Sequence, residues 1–250
     1  MIDSVFNSQR ISGQTVRYRI IGKGERVLFL HGTWVDPFIF EELFSGLSPH
    51  YEILVPDIPP FGKSRSTQTI SLEQYADLFD ELLESKNWNH VRVIGHSFGG
   101  GIALHMGAKC DRVSQIIGLN PIGIPFLRPE ILKEYPSMIY RAIETLTKEK
   151  DSTILKKLLV DVGRVLLKNP LKPIISTITQ CLCEDEQVLK RISVPVIILW
   201  AKQDELLPIS YMKRLQNLVP HVQIQYIEGH HNWCLVDQKY ALKLLVGSLC

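Results

Sequence analysis

The residues best suited to do chemistry lie in one short stretch, Gly95-His96-Ser97-Phe98-Gly99. The β-branched run Val91 to Ile94 leads straight into it, and a glycine-led, alanine-bearing helix candidate, Phe98 to Lys109, follows. A serine on so sharp a strand-to-helix turn projects its hydroxyl clear of the sheet. The turn leaves no room for side chains two residues either side, which accounts for Gly95 and Gly99. Ser97 is therefore the candidate nucleophile. Helix onset just after it also aims backbone N–H groups at the reacting centre, as an oxyanion requires.

A serine hydroxyl near neutral pH needs a base, and the base needs an acid to orient it. In this strand–turn–helix setting the expected chain order is serine, acid, histidine. Asp204 is the first carboxylate after the apolar run Val196 to Trp200, with Glu205 beside it as a possible substitute. Two histidines compete for the base, His230 and His231, in Glu228-Gly-His-His-Asn-Trp233. His231 is preferred because Trp233 and Leu235 follow it at the spacing expected to pack the loop onto the core. His50, His90, His105 and His221 fall at element ends or on helices, and His96 is read as a packing or pocket-lining residue. A second oxyanion donor is expected from Leu30-His31-Gly32-Thr33-Trp34, with the Thr33 N–H joining that of Phe98. Trp34 is read as pocket wall or packing.

Short β-branched runs that alternate with helical stretches would position these groups. Val16 to Ile21, Val27 to Leu30, Glu52 to Val55, Val91 to Ile94, Val113 to Leu119, Val196 to Trp200 and Gln223 to Ile227 read as strands. Leu72 to Lys86, with Ser71 as N-cap, Phe98 to Lys109, Ser210 to Leu218 and Gln238 to Leu249 read as helices. The pattern predicts a mostly parallel sheet with helices on its faces. Residues 121–191 break the rhythm with apolar positions at three- and four-residue steps, from Ile139 through Leu166, punctuated by Pro170 and Pro173. They read as a helical insertion, leaving 1–120 and 192–250 as the core.

Composition narrows the remaining choices. The chain has 250 residues and a formal charge of +2, which suits one α/β domain and gives no reason to expect a nucleic-acid partner. Met1 to Val5 lacks the basic start and apolar core of a secretory signal, and no apolar run reaches the roughly 18 residues of a membrane span. Cys110, Cys181, Cys183, Cys234 and Cys250 are scattered and odd in number, so free thiols and a cytoplasmic setting are expected. No metal or organic cofactor is called for, and oligomeric state, monomer or homodimer, is left open.

Taken in order, His31-Gly32, Pro56-Asp57-Ile-Pro-Pro60-Phe-Gly62-Lys-Ser64, Gly95 to Gly100, Asp204 and His231 resemble the landmarks of the α/β-hydrolase superfamily over nearly the whole chain. The resemblance implies an eight-stranded, mostly parallel sheet with an inserted helical cap over 121–191. It also implies Ser97 as nucleophile, Asp204 as acid, His231 as base, and Thr33 with Phe98 as oxyanion donors. Two residues depart from the usual pattern. Pro60 replaces a glycine and stiffens its loop. Asn120 stands where a minority of relatives place the acid, a role an amide cannot fill. A serine at position 97 excludes mechanisms that need a carboxylate nucleophile. The expected reaction is hydrolysis of a carboxylic ester through an acyl-enzyme, with a small or apolar acyl group suggested by the Ile, Leu and Val content of the insertion. The same triad serves amide or C–C cleavage and acyl transfer, and a weakly catalytic, receptor-like binding module is the rival from another class.

Overall fold

The computed structural model describes residues 5–33, 35–66, 70–124, 186–207 and 209–249. The greater part of the expected insertion lies outside them, as do Trp34, Cys181, Cys183 and Cys250. Eight strands form one sheet: β1 (Phe6–Ile11), β2 (Gln14–Ile21), β3 (Glu25–Leu30), β4 (Tyr51–Pro56), β5 (Val91–His96), β6 (Val113–Leu119), β7 (Val196–Ala201) and β8 (Gln223–Ile227). Their spatial order is β1-β2-β4-β3-β5-β6-β7-β8. β2 pairs antiparallel with β1 and β4, and the remaining neighbours run parallel.

Side chains alternate across the sheet and build a core on each face. Leu28, Leu30, Leu54, Val93, Ile116 and Ile198 join the core on one face. There they meet α2 (Leu72–Glu84) and α3 (Phe98–Lys109), with Phe79, Ile102 and Leu104 buried between. Val27, Phe29, Ile53, Val55, Ile117 and Leu199 face the other way. They pack under α1 (Glu41–Leu47) and the C-terminal helix Gln238–Leu249, through Phe44, Ala241 and Leu245. Two further helices, α4 (Ile209–Leu218) and the short α5 (Trp233–Val236), precede that last helix, which is α6.

Several elements differ from the sequence reading, among them β1, α2 and the seven-residue α1, which the sequence pattern does not mark. β1 was not expected, because its residues Phe-Asn-Ser-Gln-Arg-Ile carry no apolar alternation. As an edge strand it pairs only with β2 and leaves all but one of its side chains at least partly exposed. α2 stops at Glu84, two residues early: Ser85 caps it and Asn87 turns into left-handed backbone at φ 55°. Its start agrees with the reading. The Ser71 hydroxyl accepts from the Gln74 amide at 3.2 Å, and the Gln74 side chain accepts from the Ser71 amide at 2.9 Å. That reciprocal pair is a capping box, satisfying two donors the first helical turn cannot.

The parallel arrangement matters most at the carboxyl ends of β3, β5, β6, β7 and β8. These strands point one way, so the loops after Leu30, His96, Leu119, Ala201 and Ile227 gather at one edge of the sheet. Open α/β sheets bind ligands along such an edge. Replacing Ser71 with alanine removes half of the capping box and is expected to cost about 1 kcal/mol. Urea unfolding should show a lower midpoint at unchanged slope.

Candidate active site

Ser97 sits between the end of β5 and the first residue of α3, at φ 50° and ψ −111°. A non-glycine residue there is strained, and such strain persists only where the surroundings over-determine it. Its amide donates to the Leu119 carbonyl at 3.0 Å, and its carbonyl accepts from Gly101 and Ile122 amides at 3.1 and 3.0 Å. Close packing does the rest. A Cβ on Gly95 would lie 2.3 Å from the Gly99 carbonyl oxygen, and one on Gly99 would lie 2.2 Å from that of Leu30. Both glycines are required by backbone contact.

The chain folds the three candidate residues together. The Ser97 Oγ lies 2.9 Å from Nε2 of His231, and His231 Nδ1 lies 2.8 Å from Oδ2 of Asp204. A carboxylate only accepts, so Nδ1 carries the proton and Nε2 is free to take one from the serine hydroxyl. Burial works against charging His231, but the charge and hydrogen bond of Asp204, together with the charge of Glu205, outweigh it and raise its pKa above the ordinary histidine value. Burial likewise opposes an ionised Asp204. The charge and hydrogen bond of His231, the Leu207 amide and the Asn120 side chain overcome it and hold Asp204 below the usual carboxylate range. His230 turns the other way: its half-exposed ring lies 3.2 Å from the Gln203 carbonyl and 3.5 Å from Glu205.

Three residues outside the candidate triad hold these groups in place. Glu205 does not touch the His231 ring; its Oε2 accepts the His231 amide at 3.1 Å. The buried His96 ring donates from Nε2 to the His231 carbonyl at 3.3 Å, so His231 is gripped on both sides of its backbone. Burial, reinforced by the neighbouring His231, pushes His96 down to about 3. It therefore stays neutral and adds no charge beside the base. Asn120 contacts Asp204 from the end of β6. His96 lies inside the Gly95-to-Gly99 turn and Glu205 beside Asp204, but the contacts themselves span 135 and 26 residues, and Asn120 reaches Asp204 across 84.

The loop after β3 borders the same space. The Ile58 amide donates to His31 Nε2 at 2.8 Å, which leaves Nδ1 to donate to the Gly32 carbonyl at 2.7 Å. Burial lowers the His31 pKa to about 4, consistent with that neutral tautomer. The Gly99 amide donates to the His31 carbonyl at 3.1 Å, tying this loop to the start of α3. A Cβ on Gly32 would meet His96 Nδ1 at 2.8 Å and Ser97 Cβ at 3.4 Å, so the loop passes directly beside the serine. Thr33 follows on that loop, and Phe98 is the first residue of α3, a position whose N–H has no acceptor within the helix. Among the described residues, neither amide donates to a backbone carbonyl, and no group of acidic, histidine and cysteine side chains is arranged to hold a metal ion.

Residues 27–241 match the model of the alpha/beta hydrolase family. The chain belongs to that family. A pimeloyl-[acyl-carrier protein] methyl ester esterase of Vibrio cholerae is 24% identical, over 82% of this chain and 86% of its own. The magnesium-chelatase 30 kDa subunit of Rhodobacter capsulatus is 36% identical over a shorter stretch, 39% of this chain and only 34% of that protein. Among solved structures, an esterase from Exiguobacterium antarcticum superposes with a TM-score of 0.84 at 19% identity, covering 98% of this chain and 99% of that one. The fold is thus the family's own. No described helix is long and apolar enough to cross a membrane.

The electrostatics make a direct prediction. The His231 imidazole, followed by NMR, should titrate above the ordinary value of 6.5. Asp204→Asn removes the strongest of the influences that raise it, the carboxylate charge, and leaves burial in place, so the midpoint should fall to a lower pH. An unmoved midpoint would show that Asp204 does not charge-stabilise His231.

Proposed function

We propose that this protein is a serine hydrolase that cleaves carboxylic esters through an acyl-enzyme. The observation that carries this reading is the continuous relay from Ser97 Oγ to His231 Nε2 at 2.9 Å and from His231 Nδ1 to Asp204 at 2.8 Å. In this reading Ser97 Oγ attacks the ester carbonyl carbon while its proton passes to His231. The oxyanion that forms is held by the Phe98 and Thr33 amides, each such donor being worth about 3 kcal/mol to the transition state. Collapse of the intermediate breaks the ester C–O bond, and His231 returns the proton to the departing alkoxide. Water then adds to the acyl-enzyme with His231 again as base, releasing the acid and restoring the serine.

Asp204 stays ionised throughout and stabilises the transient imidazolium. The neutral His96 supports the same step, since a second cation there would oppose it. Family membership, relatives named as esterases and the strained Ser97 hydrogen-bonded to His231 favour this reaction over a receptor-like role. The apolar composition of residues 121–191 favours a small or apolar acyl group, with those residues acting as a cap over the core formed by 1–120 and 192–250.

Labelling with a fluorophosphonate probe should modify the folded protein at Ser97 and leave Ser97→Ala unmodified. Turnover of p-nitrophenyl esters should drop about 10⁴-fold or more in His231→Ala, whereas His230→Ala should keep most of it. The absence of an adduct on folded wild-type protein would end the hydrolase reading. Loss of activity in His230→Ala with retention in His231→Ala would reverse the choice of base.

A further inference from the structure

Asn120 takes no part in the bond-making steps above, yet its side chain is fully buried among them. Its amide oxygen accepts from the Ala201 amide at 3.3 Å and from the Trp233 indole N–H at 2.8 Å. Those two donors decide which end of the amide is oxygen. The NH₂ end consequently faces Asp204 and donates to Oδ2, the same oxygen that accepts from His231. Oδ1 of Asp204 accepts from the Leu206 and Leu207 amides at 2.9 and 2.8 Å. A carboxylate offers about four acceptor positions, and each of these is taken by an N–H. The acid therefore has no spare position into which it could rotate.

We propose that Asn120 is a positioning residue that couples the acid loop to the base loop, gripping Asp204 with one end of its amide and Trp233, two residues beyond His231, with the other. The inference rests on the reading of Asp204 and His231 as acid and base. It explains why an amide stands here. A carboxylate would turn an acceptor toward Asp204, and an apolar residue of similar size would leave the Ala201 and Trp233 donors buried without an acceptor. Asparagine also tolerates the left-handed backbone at this position, φ 44°. The titratable groups acting on the Asp204–His231 pair are Glu205 and His96, with His31 behind His96; none of them replaces the Asn120 donor.

The test compares p-nitrophenyl ester kinetics of wild type, Asn120→Ala and Asn120→Asp across pH, with fluorophosphonate labelling of wild type as the control. Asn120→Ala should lower kcat about 10- to 100-fold at unchanged KM, the equivalent of one charge-assisted hydrogen bond. In Asn120→Asp the new carboxyl, while protonated, can reproduce the donor; burial and the facing Asp204 favour that protonated form. As pH rises and the proton leaves, two carboxylates confront each other. Its kcat/KM profile should therefore gain a descending alkaline limb that wild type lacks, which a packing role would not produce. Should Asn120→Ala fail to fold by circular dichroism, the Asn120→Asp profile decides alone. A labelled, active wild type with an Asn120→Asp profile superimposed on its own would overturn the inference and leave the hydrolase reading standing. An unlabelled, inactive wild type would overturn both.

Discussion

The left-handed backbone at Ser97 is held by packing on every side. β5 delivers the chain at His96, α3 begins at Phe98, and between them a single residue has to reverse direction. Gly95 against Gly99, Gly99 against Leu30 and Gly100 against Pro121 all pack at distances that admit no side chain. The strain is thereby spread over contacts with three strands, so the serine cannot relax without opening the sheet edge. Ser97 itself is partly buried at the start of a helix whose first N–H groups have no acceptor within it. The His31 loop, which carries Thr33, is pinned to that helix start through the Gly99 amide and the His31 carbonyl.

The buried charges around the serine show one pattern, in which burial is the largest influence and the outcome depends on the partners each group has. His31 and His96 have too few partners to offset it and stay neutral, at about 4 and 3. Asp204 and His231 have each other and several further donors or charges, so their shifts run opposite to what burial alone would produce. Asp57, in the loop after β4, lies between: burial lifts it to about 6 although the Lys63 amide and Arg17 resist. The nearby Gly62 adopts φ 58° with its Cα packed on that carboxyl group, where any side chain would collide with it. A polar centre of this kind works only if nearly every member has a partner.

Ser97, Asp204 and His231 were nameable as candidates from sequence because each follows an apolar, β-branched run at the carboxyl end of a parallel strand. A parallel sheet brings such ends together whatever the intervening chain does. The Trp233 and Leu235 spacing separated His231 from His230 for a related reason, since both side chains are buried and set the pitch of the loop. The supporting contacts were not legible. Asn120 stands 84 residues from Asp204 and His96 stands 135 from His231, and nothing local distinguishes them from packing residues. β1 escaped notice because an edge strand with solvent on most of its side chains has no apolar rhythm to read. α1 was missed as well, a short helix of seven residues placed by the burial of Leu43, Phe44 and Leu47.

β6 and β7 are adjacent, paired from Ile116 with Val196 to Leu119 with Leu199. The two strands run parallel, so the chain leaves β6 at one edge of the sheet and has to cross to the other edge to enter β7. Closing a longer excursion costs little, about 0.6 kcal/mol for each doubling. Both ends of that crossing are tied to the core, the Ile122 amide donating to the Ser97 carbonyl at 3.0 Å and Val188 and Leu189 lying buried beneath α3, so strand pairing constrains these anchors and sets no limit on the length of chain between them.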